Sequence, residues 1–100
     1  MICRLYDWHE KDPVLRYESE MGVDYIREHE HSFGFLLDDV ADGLAMAEFE
    51  IAGRWYEIGV TADDDIRVWW LVPDAILPEE KIVASVAELC DWFDELEMGA

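Results

Sequence analysis

Over residues 46–72 apolar and polar positions alternate with a period of two. Ala47, Phe49 and Ile51 interleave with Glu48 and Glu50. Tyr56, Ile58 and Val60 interleave with Trp55, Glu57 and Gly59. Ile66, Val68, Trp70 and Val72 interleave with Arg67, Trp69 and Leu71. Such alternation in β-branched and aromatic residues marks half-buried strands. The segment predicts three antiparallel strands, joined by a tight turn at Ala52-Gly53 and a polar loop from Thr61 to Asp65, with Pro73 closing the run.

In the simplest register Ile51 faces Arg54, Phe49 faces Tyr56 and Ala47 faces Ile58. Across the second pair Val60 faces Ile66, Ile58 faces Val68 and Tyr56 faces Trp70. One face of that sheet is almost wholly apolar. The other carries Glu48, Glu50, Trp55, Glu57, Arg67, Trp69 and Leu71, with Glu48 directly opposite Glu57, Trp55 beside Leu71 and Trp69 beside Glu57. Like charges opposed on a sheet are destabilising. A one-residue slip would exchange the two faces.

Towards the C-terminus the rhythm changes to steps of three and four. Ile82, Val86, Leu89, Cys90, Phe93 and Leu96 form one stripe, which predicts an amphipathic helix. Pro78 suits its first position, Glu79 and Glu80 suit the positive end of its dipole, and Gly99 suits its end. Glu80, Glu88, Asp91 and Glu95 fall on the opposite side.

The first 45 residues are less regular. Cys3 to Trp8 reads as a strand, Asp12-Pro13 as a turn, and Val23 to Glu30 fits either element. Phe33, Leu36, Leu37, Val40 and Leu44 fit a helix capped by Ser32, with Asp38, Asp39 and Asp42 outside; a strand over Phe33–Leu37 competes. The whole predicts one compact acidic domain over residues 1–100. Its class is α+β: a small antiparallel sheet of three to four strands, with the C-terminal helix and one or two further helices packed on it.

Composition sharpens this picture. Twenty-five acids against seven bases give a net charge of −18, yet 52% of the chain is hydrophobic, which excludes a disordered acidic tail. A surface this negative repels phosphates and anionic lipid, so neither nucleic acid nor membrane is an expected direct partner. Residues 1–31 hold eight acids and four bases, and residues 32–100 hold seventeen and three. No signal-peptide pattern opens the chain, so a cytoplasmic protein is expected. Cys3 and Cys90 then read as small buried hydrophobes rather than a disulfide.

Candidate chemistry is sparse. Asp63-Asp64-Asp65 lacks the spaced ligands and closing Glu of a calcium loop, and reads as a solvated hairpin tip. On a strand His29 and His31 would point the same way and could share a metal with His9 or a carboxylate, but no second ligand motif supports it. None of the three serines sits in a Gly-X-Ser-X-Gly elbow, and the six glycines are scattered. No catalytic, cofactor or metal site is expected.

The acids and tryptophans point instead to a protein partner. Glu88, Asp91 and Glu95 would step along the helix by about 4.5 and 6 Å, within a factor of two of the spacing of nucleic-acid phosphates. Glu48, Glu50, Glu57 and that ladder are candidate contacts for basic residues, with Trp55 and Trp69 as the apolar anchor. The competing reading covers the tryptophan face with a helix from residues 14–44. The expected function is a small acidic inhibitor: a nucleic-acid mimic of the anti-CRISPR or anti-restriction type, encoded by a phage or mobile element. It would block the nucleic-acid-binding surface of a basic protein or ribonucleoprotein complex of the host. An immunity protein neutralising a bacterial toxin is the alternative, and plain salt adaptation a third. The second sheet face could also pair two copies into a homodimer.

Overall fold

The computed structural model describes residues 1–99. The alternating segment forms β3 (Ala45–Ile51), β4 (Arg54–Val60) and β5 (Ile66–Trp70). Ala47 pairs with Ile58, Phe49 with Tyr56 and Ile51 with Arg54; Ile58 pairs with Val68 and Val60 with Ile66. This is the register read from the turn lengths. Ala52 and Gly53 both take positive φ, 52° and 80°. A two-residue hairpin turn of that hand matches the strand twist, and glycine adopts the second position without strain.

The sheet is larger than the three to four strands expected. Six antiparallel strands run in the order β2-β1-β3-β4-β5-β6, adding β1 (Ile2–His9), β2 (Asp12–Glu20) and β6 (Glu79–Val83). Asp12 and Pro13 do not make the turn. They open β2, while Glu10 (φ 57°) and Lys11 turn the chain between His9 and Asp12. Proline is tolerated there because β2 is an edge strand. The register slips between Leu5 and Tyr6, which leaves Arg16 unpaired on β2. That bulge, and exposure along almost the whole strand, erase any alternation in the sequence.

Residues 78–83 are the second correction. Instead of opening the last helix, Glu79–Val83 pairs with β5, setting Glu80 against Trp69 and Ile82 against Arg67. Ile82 is therefore outside the helical stripe and half exposed. The helix, α3 (Val86–Met98), starts about two turns later. Ser85 caps it: its hydroxyl accepts from the Glu88 N–H, while Glu88 accepts from the Ala84 N–H at 2.9 Å. A Ser-x-x-Glu cap satisfies amide groups that Pro78 could not.

The ambiguous segment gives α1 (Val23–Glu28), followed by α2 (Glu30–Ala41). Ser32 lies inside α2 rather than capping it, and Leu44 falls beyond its end. All three helices supply the core on one face of the sheet. Val23, Ile26, Phe33, Leu37, Leu89, Cys90 and Phe93 pack against Cys3, Ala47, Phe49, Ile58 and Val68. Cys3 and Cys90 are free and buried. Among the described residues no helix is long and apolar enough to cross a membrane.

Candidate functional site

The helices pack their core residues on the Phe49 side, which leaves the Glu48 side of the sheet without a helix layer, its central residues partly buried by one another. Successive strand pairs line up one row across it: Glu18, Arg4, Glu48, Glu57, Trp69 and Glu80. Four carboxylates thus share a row with one arginine. Arg4 Nε donates to Glu18 at 2.7 Å, and Arg4 also stands 3.9 Å from Glu48. The Tyr6 hydroxyl donates to Glu48 at 2.7 Å. In the neighbouring row Arg67 Nε donates to Glu80 at 2.5 Å.

Glu57 is the exception. It sits opposite Glu48, and no cation lies within ion-pair distance of it among the described residues. Burial, then the Glu48 charge, pushes its carboxyl above the usual range, with a hydrogen bond from Trp69 pulling the other way. The folded protein therefore holds the Glu57 proton more tightly than the unfolded chain does. This group makes the folded state more favourable as pH falls through its raised value, and less favourable as pH rises. We expect Glu57→Gln to stabilise the fold by about 0.2–1 kcal/mol at neutral pH. The gap from the parent should narrow as the medium is acidified towards the ordinary carboxylate range. Urea titrations of both proteins across that range check this, and a gap that does not change with pH would refute it.

The tryptophans of this face are held by cations. The Arg4 guanidinium lies 4.3 Å above the Trp55 ring, and that of Arg67 4.9 Å from the Trp69 ring. Gly59 makes room for Trp69: a Cβ there would come within 2.9 Å of the indole. Trp55 and Trp69 line a surface hollow of about 290 Å³ with Glu48 and Glu57. Trp70, Leu71 and Pro78 complete it. Trp55 and Leu71 thus lie at one hollow, as the register implied. Glu50 neighbours Trp55 across the strands but does not line the hollow.

The expected contacts therefore divide. Glu48, Trp55, Glu57 and Trp69 come together, whereas Glu88, Asp91 and Glu95 stand on α3, in the layer covering the opposite face. Two of those three are engaged. Glu88 caps its own helix, and Asp91 accepts from Arg27 Nη2 at 2.5 Å, with Asp94 accepting from Nη1 at 2.6 Å. Reversing all three charges would disturb helix packing as well as surface charge. Beside them Trp92, Lys81 and Ile82 line a smaller hollow of about 240 Å³, with Lys81 Nζ 5.7 Å from the Trp92 ring.

The remaining chemistry dissolves into structure. His29 stacks on Tyr25 at 4.2 Å and its Nδ1 meets the Tyr25 carbonyl, whereas His31 meets Phe35 edge-on. They lie around a helix rather than along a strand, so they do not converge. Thr61 Oγ1 accepts from the Asp63 and Asp65 amides, which ties the acidic loop into a local turn. Burial pushes the Cys3 thiol up to about 12, away from thiolate reactivity. Sequence reasoning missed Arg4 and Tyr6 as part of the face. Arg4 and Tyr6 join it only through the β1–β3 pairing, while Trp70 borders the hollow at the end of β5 with its ring packed on Tyr56 and Trp92 on the helix side, as its alternation implies. Compared with family models, curated proteins and solved structures, the chain matches none.

Proposed function

We propose that the protein is a binding module that occupies the nucleic-acid-binding surface of a basic protein and so inhibits it sterically. The observation that carries this reading is the helix-free sheet face, where partly buried tryptophans flank opposed carboxylates, one of them without a cation among the described residues. An unpaired charge beside a like charge is costly, and a cation arriving with a partner removes that cost. Tryptophan beside it supplies area that a charged surface alone lacks. The net charge of −18 steers basic surfaces towards the molecule from a distance, and the α3 acids contribute to that field without forming the contact face. A phage- or mobile-element inhibitor of a host nuclease or CRISPR complex has this chemistry.

The test is capture by the immobilised protein from a nuclease-treated bacterial lysate. Nucleic-acid-binding proteins should be retained at low salt and released both by high salt and by heparin, a polyanion competing for the same basic surface. Glu95→Lys, on the far side of the molecule, should leave the captured set unchanged. A retained set with no enrichment in nucleic-acid-binding proteins, or one indifferent to heparin, rules the reading out.

A further inference from the structure

We propose that the hollow at Trp55 and Trp69 is a socket for one arginine side chain of the partner. This rests on the docking reading of the helix-free face and assigns the residue that enters it. The hollow has two chemically different ends. Leu71, Pro78 and Trp70 are apolar, while Glu48 and Glu57 are carboxylates directly opposed across two strands. An occupant that matches both ends is a long side chain with an apolar stem and a cationic head.

Arginine fits better than lysine for two reasons. A planar guanidinium can bridge two neighbouring carboxylates with parallel hydrogen bonds, which an ammonium cannot. It also stacks on indole rings, and the protein already uses that contact twice on these same residues, with Arg4 on Trp55 and Arg67 on Trp69. Neither resident arginine is paired with Glu57, which leaves that carboxylate to the newcomer.

Purified protein labelled with nitrogen-15 tests this through its indole N–H signals. The probes are acetyl-Ala-Arg-Ala-amide and its lysine and citrulline counterparts; citrulline keeps the shape of arginine and loses the charge. The arginine peptide should shift the Trp55 and Trp69 signals saturably and leave Trp92 still. The lysine peptide should bind about fivefold more weakly and the citrulline peptide about tenfold. Glu57→Gln should weaken the arginine peptide roughly tenfold, about 1.4 kcal/mol. Trp55→Leu should erase the preference for arginine over lysine. Equal binding of arginine and lysine or citrulline peptides, an unchanged affinity in Glu57→Gln, or a response confined to Trp92 overturns the socket. Loss of arginine preference with heparin-sensitive capture intact overturns the socket alone. Loss of that capture with arginine preference intact overturns the inhibitor reading alone.

Discussion

Phe93→Ala should lower the stability of the fold by about 3–5 kcal/mol. Phe93 is fully buried on α3, between Leu89 and Cys90, which are equally hidden, and the sheet below. Its ring centroid lies 5.4 Å from Phe49 and 5.9 Å from Trp92. Phe33 extends this contact on one side, and Trp70 and Tyr56 extend it on the other. Removing the ring therefore loses transfer energy and opens a void where several aromatic neighbours meet. The residues around it are held by a β-sheet, which collapses poorly into the space. A domain of this size has about 5–15 kcal/mol in total, so the variant should be close to unfolding. Urea titration should show a much lower midpoint with an unchanged slope. Phe35→Ala, at a ring 61% exposed, should change little. A loss under about 1 kcal/mol for Phe93→Ala would show that α3 is not seated as described.

Trp69→Ala should have the largest effect on partner binding, a loss of at least about thirtyfold, or about 2 kcal/mol. Trp69 sits between Glu57 and Glu80 in the carboxylate row, lines the hollow and holds Arg67 against its ring. Truncating it widens the hollow, frees Arg67 and uncovers Gly59. The helix-side core is untouched, so thermal melting should move little beside Phe93→Ala. That separation is the diagnostic: affinity falls while the fold stands. The capture experiment, repeated with this variant, provides the measurement. Undiminished capture would place the docking surface elsewhere, with the α3 hollow at Trp92 the next to test.

The central hairpins were legible because three signals agreed: alternation, a two-residue turn with glycine, and strand lengths that fix the register. With them came the opposition of Glu48 and Glu57 and the grouping of Trp55 with Trp69. The buried part of α3 was legible through Val86, Leu89, Cys90 and Phe93. Its start was not, because Pro78-Glu79-Glu80 imitates a helix N-terminus while Ser85-x-x-Glu88 makes one. β2 stayed hidden since an exposed edge strand has no buried face to impose a rhythm. The covering helix over the tryptophans did not materialise because Val23, Ile26, Phe33 and Leu37 all pack on the Phe49 side. Arg4 could not be placed at the site from sequence. Its position depends on a pairing between segments some forty residues apart, which no local pattern encodes.

The strand order has a kinetic consequence. Four of the five strand pairs join segments consecutive in the chain; only β1 with β3 does not. Hairpins close in microseconds, whereas bringing distant segments together must first meet a loop-closure cost. The sheet should thus form as two pieces, the β1–β2 ribbon and the β3–β6 meander, that dock last along one seam. Until they dock, β3 is a raw edge with open amide and carbonyl groups, the kind of strand that templates aggregation. Glu48 and Glu50 project from that edge. The acids that mark the finished surface also act as gatekeepers for the unfinished one, and a variant that neutralises both would leave the meander far more prone to stick to its own copies.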